Sequence, residues 1–157
     1  MDLTAACEVF TNVKTPMKAR FRALFTLRNL GGPDALKAME KVLQNDQSAL
    51  LKHEVAYCLG QMGDKAAVSM LKAILEDTTK EDIVRHEAGE ALGAIGDPEY
   101  LPFLEKFLDD PSKEVADTCV LAVKKIKYNV SGEIHNQQAN ILVLGIVDLS
   151  FQGKTKT

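Results

Sequence analysis

A histidine followed directly by a glutamate occurs twice in this chain, as His53-Glu54 and as His86-Glu87. Imidazole and carboxylate groups without a thiolate suit iron, manganese or zinc. Two histidines and one carboxylate with open coordination positions form the pattern of non-haem Fe(II) enzymes that activate oxygen. These residue types therefore indicate a metal site, and at this point all three metals stay open.

Both pairs fall at the same point of a repeated unit. The stretches LLKHEVAYCLGQMGD and IVRHEAGEALGAIGD align without gaps, and His53 and His86 are 33 positions apart. A fixed period of this length is typical of stacked helical hairpins. Equivalent helices in such a stack lie roughly 8 to 10 Å apart. We therefore expect side chains from the two repeats to reach one shared point between neighbouring helices.

The pair is absent from the repeats on either side. The equivalent residues are Phe21 and Arg22 in the first repeat, and Asp117 and Thr118 in the fourth. A histidine beside a glutamate is also an ordinary polar edge of an amphipathic helix, and repeats copy surface residues together with core residues. Retention of the pair only where two adjacent repeats can cooperate favours a site over this simpler interpretation.

The elements that must position these residues are helices. Apolar residues at helical spacing form one four-residue signature that occurs four times, at Leu3, Ala6, Val9, Phe10, at Leu36, Met39, Val42, Leu43, at Val68, Leu71, Ile74, Leu75 and at Leu101, Leu104, Phe107, Leu108. The first copy is then an unpaired second helix that caps the stack. The first helix of each hairpin is predicted over residues 18–30, 50–62, 82–95 and 113–127.

This pattern predicts an all-α solenoid of about four helical hairpins over residues 1–127. Beyond residue 127 the composition changes and no part of the unit reappears. We expect residues 128–157 to form a separate C-terminal tail that is poorly ordered or loosely docked.

Glycine and aspartate recur where the first helix of a hairpin ends. Gly31, Gly63 and Gly96 are predicted to close these helices in the left-handed conformation. The aspartates that follow them are predicted N-caps of the next helix, at Asp34, Asp64 and Asp97.

A basic residue precedes each histidine, and it persists in the first repeat, where the pair is missing. These residues are Arg20, Lys52 and Arg85. We therefore interpret them as structural, pairing with acids in the interhelical turns. Glu90 and Tyr57 lie one turn after His86 and His53 and are candidates to support the metal ligands, although an exposed acid and a half-buried aromatic residue would look the same.

Composition excludes several classes of function. The 157 residues are 46% apolar and 26% charged, with a formal charge of −3, which is typical of a globular domain. No basic block with interleaved aromatic residues suggests nucleic acid binding, and no apolar run is long enough to cross a bilayer. Three cysteines without metal or C-x-x-C spacing, and no signal peptide at the start, indicate a cytoplasmic protein.

Three stretches carry a resemblance to a known family. ARFRALFTLRNLGGP, SALLKHEVAYCLGQMGD and VRHEAGEALGAIGDPE resemble the N-terminal half of deoxyhypusine hydroxylase, a HEAT-repeat di-iron mono-oxygenase. The resemblance covers about residues 19–127 and is specific, since generic HEAT repeats lack paired His-Glu doublets in these contexts. It implies hydroxylation of deoxyhypusine on a eukaryotic translation initiation factor, which completes hypusine.

The resemblance also implies roles for the four residues. His53, His86 and Glu87 would be ligands of Fe(II). Glu54 would lie beside the metal, as part of the same site, and act in catalysis by helping to hold the substrate amine. Deoxyhypusine is a long polyamine-like cation, so a groove lined by glutamates would attract and orient it.

The sequence departs from the family in one respect. Family members have four His-Glu doublets in two halves that face each other, whereas this chain has two doublets. A complete di-iron centre then requires a second half, from a homodimer with two-fold symmetry or from a partner. The third interpretation is a truncated product that folds without turning over substrate.

The alternative from another class is a HEAT-repeat scaffold for protein interactions, in which the four residues form an acidic ridge without metal. The phycobilin-lyase-like HEAT proteins share the repeat but not the doublets. Metal binding would distinguish the hydroxylase interpretation from both of these alternatives.

Overall fold

A computed structural model describes the backbone of residues 1–151 and the side chains of residues 1–132. These residues form α-helices joined by short turns and contain no β-strand. The helices are α1 (Leu3–Thr11), α2 (Met17–Leu30), α3 (Pro33–Asn45), α4 (Ala49–Met62), α5 (Val68–Glu76), α6 (Asp82–Ile95), α7 (Leu101–Leu104) and α8 (Lys113–Phe151). Within this part of the chain, no helix combines the length and the apolar character needed to cross a membrane.

The helices form two layers with the apolar core between them. The first helices of the hairpins lie side by side in the order α2, α4, α6, α8, so that α6 packs between α4 and α8. The second layer contains α1, α3 and α5, and α7 covers α8. The four predicted apolar signatures supply the core from this second layer, and Phe10, Leu43, Leu75 and Leu104 are fully buried. The predicted all-α repeat stack is confirmed.

The glycines end two of the inner helices in the predicted way. Gly63 and Gly96 have φ angles of 62° and 76°, in the left-handed conformation, and their amides donate to carbonyls of the preceding turn. Asp64 and Asp97 then accept a hydrogen bond from the amide two residues later. Both features are confirmed, and they fix the direction in which the chain leaves α4 and α6.

Asp34 is not the N-cap of α3, and that prediction is wrong. Pro33 takes the first helical position, so the cap is Gly32, with a φ of 86°, and Asp34 lies within the first turn. Proline has its φ fixed near the helical value and no amide hydrogen, which makes it a natural first residue of a helix. This helix starts two residues earlier relative to its aspartate than the helices after Asp64 and Asp97 do.

The fourth repeat differs from the others. Its second helix is short, because α7 gives way after four residues to a 3-10 turn at Glu105–Phe107. Its first helix, expected to end near residue 127, continues as α8 to Phe151. Residues 152–157 of the expected tail lie outside the described residues. The division of the chain into two domains at residue 127 stays a prediction.

The basic residue before each histidine pairs with an acid of a neighbouring turn, as predicted. Arg85 donates to the Leu75 carbonyl at 3.0 Å and to both carboxylate oxygens of Asp110 at 3.1 and 2.7 Å. Arg20 makes the equivalent bonds in the first repeat, to the carbonyl near the end of α1 and to Asp46. These arginines tie each first helix to the second helix before it and to the turn that follows its own hairpin.

Lys52 is the central member of this series. It donates to both carboxylate oxygens of Glu81 at 2.8 Å. Asp77, which occupies the turn position of Asp46 and Asp110, binds the amide and hydroxyl of Thr79 instead. We call the pairs Arg20–Asp46, Lys52–Glu81 and Arg85–Asp110 the ion-pair ladder.

Candidate metal site between α4 and α6

Small residues allow the helices that carry the two pairs to pack closely. A Cβ atom placed on Gly60 would lie 3.0 Å from Cα and Cβ of Ala91, and one placed on Gly93 would lie 2.7 Å from Cβ of Ala122. Real Cβ contacts are essentially never shorter than 3.0 Å. Glycine at these two positions therefore brings α4 onto α6, and α6 onto α8, beside the histidine-glutamate pairs.

The shortest contact of the site crosses from one repeat to the next. Nε2 of His53, on α4, lies 2.9 Å from Oε2 of Glu87, on α6. Their side chains are 25% and 6% exposed, so the glutamate is buried and the histidine covers it. His53 Nδ1 is also buried and has no hydrogen-bond partner. The two repeats thus contribute one residue each to a single pair.

His86 contacts different groups from His53. Its Nε2 is 3.4 Å from Oε2 of Glu90 on the same helix, and its Nδ1 is 3.4 Å from the carbonyl oxygen of Glu114 on α8. His86, Glu87 and Glu90 each offer one potential ligand atom, and these three atoms lie within 4.8 Å of one another. A divalent cation could contact all three.

Burial governs the charge of the site. It raises the pKa of Glu87 above its ordinary value, and the charges of Glu90 and Glu54 raise it further, while His53 and His86 oppose the shift. Glu54 is half-buried and is near enough to act on Glu87 electrostatically. The two histidines compensate only part of the negative charge of a buried carboxylate that has other acids beside it. A cation bound here would supply the missing positive charge.

The donor set fits iron by its chemistry. It consists of imidazole nitrogens and carboxylate oxygens, and the nearby thiol of Cys58 is buried, with a pKa raised to about 11 mainly by burial. A thiol with such a pKa is protonated at neutral pH and is not poised to bind metal. The set therefore matches the hard and intermediate metals, including Fe(II).

The structure places the predicted residues in two contacts that share Glu87. Glu87 contacts His53 between α4 and α6 and is also grouped with His86, whereas neither His53 nor Glu54 belongs to the group whose ligand atoms are mutually close. Glu90, expected only to support the ligands, is a member of that group. The Glu114 carbonyl that faces His86 is a backbone group of α8 without any sequence signal.

Comparison with known proteins gives a consistent result over most of the chain. The family described as HEAT repeats matches residues 14–88 and 79–134. The chain is 54% identical over 131 residues to a deoxyhypusine hydroxylase of Danio rerio, covering 83% of this chain and 43% of that protein. It is 54% identical over 127 residues to the Homo sapiens deoxyhypusine hydroxylase, covering 81% and 42%.

A solved structure agrees with these relatives. The structure of human deoxyhypusine hydroxylase in complex with glycerol matches with a TM-score of 0.81 and 53% identity, over 83% of this chain and 45% of that one. The chain spans less than half the length of the curated relatives that it matches.

Proposed function

The chain belongs to the HEAT-repeat family, and we propose that it acts in deoxyhypusine hydroxylation by supplying one half of an iron site. The substrate would be the deoxyhypusine side chain of a translation initiation factor. Relatives named deoxyhypusine hydroxylase, at 54% identity, support this assignment. The observation that carries it is the 2.9 Å contact between His53 and Glu87, because it joins residues that the two repeats retain selectively.

In this proposal His53, His86 and Glu87 bind the iron. Bound iron would supply the oxygen-activating chemistry of a mono-oxygenase. The protein's contribution is to hold imidazole and carboxylate donors on rigid, closely packed helices, so that they need little rearrangement when the metal enters. Burial of Glu87 supports this role, since a buried carboxylate beside other acids is stabilised by a bound cation.

Glu54 and Glu90 have the second task, which is to hold the substrate. Deoxyhypusine carries positively charged amines, and both side chains lie close enough to Glu87 to influence its charge. A cluster of carboxylates attracts such a cation and orients it. Glu54 is the residue that we expect to act on the substrate amine beside the metal.

A complete di-iron centre needs a second half, which we propose comes from another copy of the chain or from a partner with equivalent residues. A two-fold arrangement would place the same patch on both sides of the metals. We also propose that the protein acts in the cytoplasm, a placement that its three free cysteines support.

Anaerobic Fe(II) titration of the purified chain, with light scattering on the same sample, tests this proposal. We expect about one iron per chain in a dimer, and a His53→Ala, His86→Ala variant that keeps its helicity but loses the iron. Stoichiometric iron on a monomer would identify a half-site without competence. No specific binding, or equal binding by the variant, would contradict the proposal and favour a protein-interaction scaffold.

A further inference from the structure

A narrow groove runs between α4 and α6 beside the candidate metal site. It has a volume of about 90 Å³ and is lined by Tyr57, Gly60, Gln61, Glu87, Glu90, Ala91 and Ala94. Glu87 is thus shared by the groove and the metal site. The groove therefore lies directly beside the His53–Glu87 pair.

The shape of the groove selects an unbranched occupant. Gly60, Ala91 and Ala94 are small residues of α4 and α6, and they leave a shallow apolar surface between the helices. A water molecule takes about 30 Å³ in the liquid, so the groove holds roughly three or four heavy atoms. This is the size of a short methylene chain, and an apolar lining favours its transfer from water.

The charges of the groove differ between its ends. Glu87 and Glu90 lie at the end next to the metal site. At the other end the Gln61 amide donates to the Tyr57 hydroxyl at 3.1 Å and accepts from Arg28 at 3.0 Å. An ammonium group is attracted to the carboxylate end and repelled by the guanidinium at the other.

We propose that this groove seats the methylene arm of the substrate, an unbranched alkylammonium chain, with its ammonium group toward Glu90 at the end beside the metal site. This inference rests on the proposed function and adds to it the place and direction of substrate binding. A second groove, of about 270 Å³ between α6 and α8, shares Glu90 and Ala94 but is also lined by Lys125. That ammonium group would repel a cationic chain, which favours the α4–α6 groove.

The test measures ligand binding and iron binding separately on the full chain. Ala94→Leu fills the groove and replaces no candidate ligand; because Ala94 also lines the α6–α8 groove, a further variant must separate the two grooves. Ala73→Leu, at an exposed position of α5, is the matched control for added bulk. Leu121→Ala alters only the α6–α8 groove. The probes are a peptide with one deoxyhypusine residue and the same peptide with lysine at that position. Calorimetry measures the affinity of each variant for both peptides.

We expect the parent chain to prefer the deoxyhypusine peptide, and Ala94→Leu to weaken that binding at least tenfold with unchanged Fe(II) stoichiometry. Ala73→Leu and Leu121→Ala should match the parent. Unchanged peptide binding by Ala94→Leu, no preference in the parent, or an equal loss in Leu121→Ala would overturn the groove assignment while leaving the iron site intact. Failure of the parent to bind Fe(II) would overturn the proposed function instead.

Discussion

The ion-pair ladder and the candidate metal site lie on the same helices, yet they use their charges in opposite ways. Arg85 sits one residue before His86, and its hydrogen bonds hold the pKa of Asp110 below the ordinary value. Burial raises the pKa of Glu87, one residue after His86. The acids of the ladder are therefore stabilised as anions by the fold, and the acid of the site is not.

This difference separates structural from functional residues. The ladder recurs in the first, second and third repeats, and each of its cations binds a carboxylate or a carbonyl. The histidine-glutamate pair occurs in only two repeats, and it leaves His53 Nδ1 buried without a partner. A fold gains nothing from an incompletely satisfied cluster, which is the signature of a site kept for binding.

Breaking the ladder should have the largest effect on stability. Arg85→Met removes the partner of Asp110, whose side chain is only 6% exposed, and leaves the Leu75 carbonyl without its donor. Removal of one member of a buried ion pair costs about 3 to 5 kcal/mol. We expect a loss of this size in urea unfolding followed by circular dichroism.

Lys52→Met is the matched control for that experiment. Its partner Glu81 is 41% exposed and can turn toward water, so the loss should stay within about 1 kcal/mol. Equal losses in the two variants would show that the ladder does not stabilise the stack through burial of its acids.

Separating the helices should have an intermediate effect. Gly93→Ala places a Cβ atom 2.7 Å from that of Ala122, so α6 and α8 must move apart. Overpacking of this kind costs about 1 to 3 kcal/mol. The control is Gly132→Ala, where nothing lies within 4 Å and the better helix former should stabilise by up to about 1 kcal/mol. Unfolding midpoints of the two variants should therefore shift in opposite directions.

The pH dependence of stability should distinguish the two kinds of acid in the metal-free protein. Asp110 has a lowered pKa, so its contribution is complete above its unfolded value of about 3.9 and is lost as the pH falls toward its folded value. Asp110→Asn should then lose about 1 to 3 kcal/mol at pH 7 and approach the parent below pH 4.

Ionisation of Glu87 should change the folding stability in the opposite direction. Its pKa is raised, so ionisation in the folded state costs free energy as the pH rises above its unfolded value of about 4.3. Glu87→Gln removes this cost and should gain stability relative to the parent between pH 4 and pH 7. Urea unfolding at several pH values measures both variants, and parallel profiles would contradict the distinction.

Changes at the outer edge of the site should have the smallest effect on folding. His86 is 33% exposed, and its neighbours Glu90 and the Glu114 carbonyl are reached only at 3.4 Å. We expect His86→Ala to stay within about 1 kcal/mol of the parent in metal-free unfolding. A loss as large as that of Arg85→Met would mean that the histidine is a structural residue.

Most of the stack could be predicted from the sequence because the same apolar pattern occurs in each repeat. The predicted bounds of α2, α4 and α6 are correct to within one residue, since apolar periodicity and a closing glycine mark each of them. The register error at Asp34 arose where Gly31 and Gly32 changed the length of the turn. At that point the helix start is determined by Pro33 and the glycine before it, and not by the repeat pattern.

The details of the site could be predicted only in part. The sequence indicated contact between the two repeats, which Glu87 makes with His53, but not that Glu90, and not His53, belongs to the group of mutually close ligand atoms. These contacts depend on how closely α4 and α6 approach, to within a few tenths of an ångström at Gly60 and Ala91. Pairing of Lys52 with Glu81 instead of Asp77 likewise depends on the loop before α6.

The most direct test of the proposed metal site is the effect of Fe(II) on the unfolding free energy of the parent and of Glu87→Gln, measured anaerobically in parallel. A ligand at 100 times its Kd stabilises the folded state by about 2.7 kcal/mol. We predict a gain of this order in the parent and none in Glu87→Gln. Equal stabilisation of both proteins, or none in the parent, would contradict a metal site built around Glu87.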